Sequence, residues 1–352
     1  MSEDEGDGRT ESGRRTRVSI EDGDFHVDGR PTCEGRTFEG IDVEGLLFNS
    51  RMIQALFDDD NPETRDRWAY PDTGEWDPER NVSEFVDALS TYREYGLRAV
   101  TVNLQCGSPE GYSDEQPWVV SAYEPDGTLK SGWTDRLQRV LDAADDLGMV
   151  VILGLFYFGQ DDHLRDEAAV EAAVDNAVEW LHDEGYRNVV VEVNNECDIN
   201  YDHDILGTER VPELIERVRS HERDGYSYPV GTSVSGGTVP TDDVVAASDV
   251  VLVHGNGVDN PDRIRELVGE TRDLPGYDGQ PIVFNEDDHF AFDAADNNLR
   301  AAIESGASWG YFDPGEGDYE HGFQSVPVNW TLSTGRKRAF FETVAEITGA
   351  DE

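Results

Sequence analysis

The chain is poor in lysine, cysteine and long apolar runs, and each shortage excludes a class of protein. Only two of its 352 residues are lysine, and 28 basic against 76 acidic residues give a net charge of 28 − 76 = −48. This charge repels the phosphates of nucleic acids and anionic lipid surfaces, so we expect neither as a partner. No run of about 18 apolar residues is present, which argues against a membrane-spanning helix.

The three cysteines, Cys33, Cys106 and Cys197, are odd in number and far apart. Without a C-x-x-C pair they support neither a disulfide framework nor a zinc knuckle. Residues 1–17 are charged and lack the apolar segment of a secretory signal, so we expect a disordered tail and a cytoplasmic protein. Acidic residues occur in nearly every polar stretch, which is typical of adaptation to molar salt. A protein that binds cations or basic partners would cluster this charge.

Hydrophobic periodicity predicts one α/β domain. Asp28-Gly29 between short extended runs predicts a hairpin over 25–32. Strands are predicted near 42–49, 97–104, 149–157, 188–195, 229–234, 249–254, 281–285 and 307–312, and helices over 82–95, 134–147, 166–184, 210–223, 261–272, 294–305 and 335–348. Eight apolar strands interleaved with helices predict a single (β/α)8 TIM barrel over 18–352. A doubly wound sheet is the competitor, but no Gly-rich phosphate loop follows any strand.

Functional residues of such a barrel lie at the carboxyl ends of its strands. Glu196 follows the predicted fourth strand and Glu286 the seventh, each directly preceded by an asparagine. Two carboxylates that face each other there can divide the work of glycoside hydrolysis, one as acid and one as nucleophile. Asn195, His254 and Trp309 could bind sugar hydroxyls and stack on a sugar face. The alternative is that each glutamate caps a helix or pairs with an arginine.

Three segments resemble the motifs of clan A glycoside hydrolases, especially the cellulase-like and mannanase-like enzymes of family 5. Segment 191–196, with its Asn-Glu ending, resembles their strand-four motif; 281–286 resembles strand seven, and 307–312 strand eight. The resemblance implies that Glu196 is the general acid/base and Glu286 the nucleophile. It also implies that Asn195 binds the 2-hydroxyl and that Trp309 floors the subsite where the bond is cut.

The sequence also departs from the family pattern. Cys197 stands where the family usually has proline, and strand six has His254 and Asn256 where the family commonly has histidine and tyrosine. Arg51 is the candidate for the arginine that supports the nucleophile. Asn103, Gln105 and Tyr157 are further candidates for the same cleft, each with a structural role in the rim as the alternative.

The sequence therefore predicts a retaining glycoside hydrolase that acts on a β-linked oligo- or polysaccharide without a cofactor or metal. One alternative is a metal-dependent barrel hydrolase with ligands from Glu286, Asp287, Asp288, His289 and His254. Another is a barrel that binds carbohydrate without catalysis. A nucleophilic Cys197 would need a histidine base within reach. The pattern leaves open the sugar, the linkage, the endo or exo mode, the oligomeric state and the roles of Asp287, Asp288, His289 and Cys197.

Overall fold

The computed structural model describes residues 13–113 and 115–350 and confirms the predicted (β/α)8 barrel. Eight parallel strands are hydrogen-bonded in the order five, four, three, two, one, eight, seven, six. The Asp249 amide donates to the Val230 carbonyl over 2.8 Å, which brings the segments of strands five and six together. The carboxyl ends of all eight strands therefore share one rim.

The barrel strands are Asn49–Arg51, Ala99–Asn103, Val150–Phe156, Val189–Asn194, Val230–Gly231, Val251–His254, Ile282–Asp287 and Ser308–Tyr311. The α-helices are Pro78–Glu94, Ser131–Asp146, Glu167–Glu184, Val211–Ser220, Asp242–Ala247, Pro261–Arg272, Asn298–Glu304 and Gly335–Thr348. Short 3-10 helices cover Ile53–Leu56, Arg65–Trp68, Asp161–His163 and Asp204–Leu206. Outside the barrel, Val18–Glu21, Asp24–Val27 and Arg30–Pro31 form a three-stranded antiparallel sheet, and Thr37–Phe38 pairs with Ile41–Asp42.

Several strands and helices begin or end at residues other than those predicted. The hairpin over 25–32 is confirmed, with Asp28 and Gly29 at its left-handed turn. The first barrel strand is 49–51 rather than 42–49, because the Leu47 amide donates to the side-chain hydroxyl of Ser308 on strand eight instead of to a backbone carbonyl of that strand. Helix Asp242–Ala247 has only six residues and was missed. Of the predicted tail 1–17, residues 1–12 lie outside the described residues, whereas the buried Thr16 hydrogen-bonds to Asp145.

The barrel interior changes from apolar to polar toward the rim. The N-terminal sheet packs Val18, Phe25 and Val27 against the amino ends of the strands. Near the carboxyl ends the buried residues are polar, including Asn49, Asn103, Glu192, His254 and Asn285. Gly154 and Gly310 leave room for this layer, since a Cβ at either position would lie 2.3 Å from the side chain of Asn103 or Asn49. This polar layer lies directly beneath the rim.

Within the described part of the chain, none of the helices combines the length and the apolar character that crossing a membrane requires.

Candidate active site

Glu196 and Glu286 lie together at the rim, as the sequence predicts. His254 connects them: its Nδ1 is 2.9 Å from Glu196 Oε1 and 3.8 Å from Glu286 Oε2. One carboxylate oxygen of each glutamate and an imidazole nitrogen all lie within 4.8 Å of one another. The Glu196 side chain is 15% exposed and that of Glu286 is 6% exposed, so the pair is largely shielded from water.

The backbone presents Glu196 in an unusual conformation. Its φ is +54°, in the left-handed region that side-chain-bearing residues rarely adopt. Its amide donates to the Ser233 hydroxyl over 2.9 Å, and the next amide, of Cys197, donates to the Ser233 carbonyl. These bonds hold the turn that follows strand four. Backbone strain of this kind costs on the order of 1–3 kcal/mol and tends to occur at functional sites.

Glu286 has two polar partners besides His254. Arg51 Nη1 lies 2.6 Å from Glu286 Oε2, and the guanidinium is 1% exposed. Asn256 donates its side-chain amide to Glu286 Oε1. An arginine pair alone would also suit a structural glutamate, but here His254 and the second carboxylate face the same group. Asn256 was not among the predicted site residues, although its place after strand six could have indicated it.

Local bulges explain how strand seven places successive side chains around the barrel mouth. The pairing register shifts between strands six and seven at His254, and between strands seven and eight after Phe284. As a result Asn285 donates to the buried Glu192 while Glu286 faces Arg51 and His254. A bulge re-aims side chains in this way, so strict alternation along the strand does not apply here.

The three titratable groups of the site shift one another's pKa values. Burial by itself would lower the pKa of His254, but the charges of Glu286 and Glu196 raise it above its usual value. Burial would raise the pKa of Glu196, but the hydrogen bond from His254 lowers it. Burial raises the pKa of Glu286, against the opposing attraction of Arg51 and His254. Both of the first two shifts favour a protonated imidazole beside an ionised Glu196.

The expectation that Trp309 forms a sugar platform is wrong. Trp309 is fully buried, its ring contacts Phe292 and Phe340, and its Nε1 donates to Asp287 Oδ2 over 3.0 Å. On strand eight, Gly310 faces the barrel interior, where a Cβ would meet Asn49. Because side chains alternate along a strand, Trp309 points outward to the helix Gly335–Thr348.

The other predicted site residues have mixed outcomes. Gln105 is fully buried, and its amide binds Ser121, the Gln160 carbonyl and the Tyr157 amide, so it supports the rim and is not placed to contact substrate. Asn103 lies within the barrel beside Gly154, and its side-chain amide has no hydrogen-bond partner among the described residues. The Tyr157 ring lies 5.9 Å from the Arg51 guanidinium carbon. Asn195 is buried, and its carbonyl accepts from the Tyr201 hydroxyl.

The structure also shows the contacts of the residues whose roles the sequence left open. Asp287 accepts from Trp309 and pairs with His289 over 2.7 Å, whereas Asp288 lies 3.3 Å from His289. Cys197 is buried, and burial raises the pKa of its thiol to about 12, which leaves it a poor nucleophile.

Two groups in the described part of the chain bring three potential metal ligands together. They are Glu196, His254 and Glu286, and Asp287, Asp288 and His289. The five-residue set expected for a metal centre is therefore divided between two places. At the first group, the buried Arg51 cation beside Glu286 opposes the binding of a second cation.

Comparisons with known proteins identify the fold. No family model matches the sequence, and no curated protein matches it. Among solved structures, the chain is similar to the endo-1,4-beta-mannanase from Rhizomucor miehei, with 12% identity over 95% of this chain and 99% of that chain and a TM-score of 0.57. An exo-beta-1,4-mannosidase from Opitutaceae bacterium strain TAV5 has 15% identity over 94% of this chain and 63% of that chain, with a TM-score of 0.58. A glycoside hydrolase family 5 enzyme from Prevotella bryantii has 11% identity over 87% and 96% of the two chains, with a TM-score of 0.53. The chain therefore has the barrel fold of these glycoside hydrolase structures.

Proposed function

We propose that this protein is a retaining glycoside hydrolase that acts on a β-linked oligo- or polysaccharide. The observation that carries the proposal is the approach of two carboxylates at the ends of strands four and seven. One carboxylate oxygen of Glu196 and one of Glu286 lie within 4.8 Å of each other. Carboxyl groups of retaining enzymes are about 5–5.5 Å apart, whereas inverting enzymes need roughly 6.5–9.5 Å to admit water. The fold shared with mannanases and a family 5 enzyme agrees with this assignment.

Glu286 acts as the nucleophile. Arg51 and the Asn256 amide both contact its carboxylate and favour the ionised form that attack requires. Burial acts in the opposite direction and favours the neutral form. In the first step a Glu286 oxygen bonds to the anomeric carbon while the bond to the leaving oxygen breaks. In the second step water attacks the same carbon, and the Glu286 carboxylate is released.

Glu196 acts as the acid and then as the base, and His254 supplies its proton. The imidazolium donates to Glu196 Oε1 over 2.9 Å, so transfer along this bond converts an ion pair into a neutral imidazole and a carboxylic acid. A bound sugar that excludes water favours the neutral pair. Glu196 then protonates the leaving oxygen and, in the second step, takes a proton from the attacking water. His254 is thus a positioning residue, whereas Glu196 touches the reacting atoms.

The two alternatives have less support. A metal at the carboxylate pair would compete with Arg51, which already neutralises Glu286. A binding barrel without catalysis gives no reason for two carboxylates, an imidazole and a guanidinium to be buried together against the cost of removing charges from water.

The test compares wild-type protein with the Glu196→Gln and Glu286→Gln variants on mannans, cellulosic glucans and aryl β-glycosides in molar salt. We expect each substitution to lower kcat by at least about 100-fold, the usual scale for losing an acid/base group. Asp259→Asn, at a fully exposed carboxylate near the same rim, serves as the control and should keep wild-type turnover. Unchanged turnover by Glu286→Gln would overturn the proposal.

A further inference from the structure

The burial of Trp309 removes the aromatic surface that the sequence predicts for a bound sugar. Among the described residues only two large hydrophobic side chains are exposed, Tyr112 at 60% and Ile199 at 38%. Tyr112 belongs to the long segment between strand two and the helix Ser131–Asp146. An exposed aromatic ring on so acidic a surface calls for a ligand with an apolar face.

Contacts to Asp288 and Phe312 place Tyr112 at the rim that carries the proposed catalytic carboxylates. Its hydroxyl donates to Asp288 Oδ2 over 2.9 Å, two residues beyond Glu286. Its ring meets that of Phe312 edge-on at 5.6 Å, and Phe312 lies 5.6 Å from the Arg51 guanidinium carbon.

Hydrogen bonds hold both the partner of the Tyr112 hydroxyl and the backbone that leads to Tyr112. The Gly257 amide donates to Asp288 Oδ1 over 3.1 Å, so Asp288 joins Tyr112 to the segment after strand six. On the other side, Gln324 donates to the Ser108 carbonyl over 2.8 Å, and the Val326 amide donates to the Pro109 carbonyl over 2.8 Å. A ring fixed before binding loses little conformational entropy when a ligand covers it.

We propose that Tyr112 binds a pyranose ring of the substrate on its exposed face and forms the aromatic wall of a sugar subsite beside Glu286. In β-linked glucose and mannose, the axial C–H bonds at C1, C3 and C5 form an apolar face of the pyranose ring. This face can stack on an aromatic side chain. This inference rests on the proposed function. It makes Tyr112 a specificity residue that binds substrate rather than a group that transfers protons.

The test uses the Tyr112→Ala and Tyr112→Phe variants, with Tyr319→Ala as a matched control. Tyr319 is half-buried and contacts Tyr70 and Glu84 instead of the residues around the carboxylate pair. Hydrolysis of mannotetraose and cellotetraose is followed for each variant, and binding of the same oligosaccharides to Glu286→Gln is measured by calorimetry with and without Tyr112→Ala. Thermal unfolding of each variant reports whether the fold is intact.

We expect Tyr112→Ala to raise KM about fivefold to tenfold, with kcat within about twofold, because the lost contact is made equally by ground and transition states. Tyr112→Phe keeps the ring and should stay within about threefold of wild-type KM, and Tyr319→Ala should keep wild-type KM. If Tyr112→Ala keeps the wild-type KM and the oligosaccharide Kd is also unchanged, this inference is wrong and the proposed function still stands. Absence of both hydrolysis and oligosaccharide binding in the wild-type protein would overturn the proposed function as well.

Discussion

At the residue scale, the site depends on cations that neutralise buried carboxylates. Arg51 is 1% exposed and Glu286 6%, so neither can exchange its partner for water. Removing one member of such a pair leaves an unpaired buried charge, which is far more costly than removing both. A comparison of single and double variants therefore tests whether Arg51 holds Glu286 in place.

Arg51→Met should therefore destabilise the fold by about 3–5 kcal/mol and, by removing a cation, favour the protonated form of Glu286. The measurement is denaturant unfolding at fixed salt together with the pH dependence of kcat. The double variant Arg51→Met/Glu286→Gln removes the unpaired charge and should recover most of the lost stability. Equal stability of single and double variants would show that the pair is not a buried ion pair.

His289 makes a pH-dependent contribution to the free energy of unfolding, and a substitution can measure this contribution. The hydrogen bond to Asp287 raises the pKa of His289 to about 9, above its ordinary value of 6.5. A group whose pKa is raised on folding stabilises the protein fully below its unfolded pKa and loses this effect as pH rises through its folded pKa. The difference in unfolding free energy between wild type and His289→Gln should thus be largest below about pH 6.5 and shrink toward pH 9 and above. Asp287→Asn should remove the same component, and a difference independent of pH would contradict the assignment.

The meeting of Glu196 and Glu286 at one rim was predictable from the sequence, but the surroundings of the two carboxylates were not. An Asn-Glu ending on an apolar strand places Glu196 and Glu286 at one rim of any parallel barrel, without knowledge of register. Trp309 illustrates the limit, because a shift of one residue in register moves a side chain to the opposite face of its strand. Tyr112 and Asp288 are 176 residues apart in the chain, so nothing local indicates that they meet.

At the scale of elements, glycines in the strands make room for the polar layer beneath the site. A Cβ at Gly310 would lie 2.3 Å from the Asn49 amide oxygen, and one at Gly154 equally close to Asn103. The barrel topology was predicted correctly because central strands such as Val150–Phe156 are unbroken apolar runs that alternate with amphipathic helices. The position of strand one was not, since a side-chain hydroxyl replaces the backbone partner of Leu47.

Gly310→Ala should destabilise the protein by about 1–3 kcal/mol, the usual cost of overpacking a filled interior. Gly269→Ala is the matched control, because this glycine lies in the helix Pro261–Arg272 with nothing within 4 Å of an added Cβ. There alanine should stabilise by about 0.5–1 kcal/mol through its higher helix propensity. Chemical unfolding of the wild type and both variants under one condition measures both changes in stability. An unchanged unfolding free energy for Gly310→Ala would contradict the close packing of Asn49.

At the scale of the whole molecule, the dominant feature is the charge of −48 on 352 residues. Self-repulsion of this size destabilises a compact state unless salt screens it, since the Debye length falls from about 10 Å at 0.1 M to about 3 Å at 1 M. Local arginine–carboxylate pairs offset only part of the excess.

The midpoint of thermal unfolding should accordingly rise as KCl increases from 0.1 M to about 3 M. The triple variant Glu209→Gln/Asp243→Asn/Glu346→Gln removes three exposed carboxylates and should unfold at a higher temperature than wild type in low salt, with a smaller gain on adding KCl. A midpoint that does not respond to KCl in either protein would contradict adaptation to salt.

The most direct test of the central claim is the anomeric configuration of the first product, followed by proton NMR while the wild-type protein hydrolyses a β-linked mannan or glucan in molar salt. Double displacement at Glu286 predicts that the β-anomer appears first and then equilibrates by mutarotation. Initial appearance of the α-anomer would show single displacement and contradict the assignment of Glu286 as nucleophile.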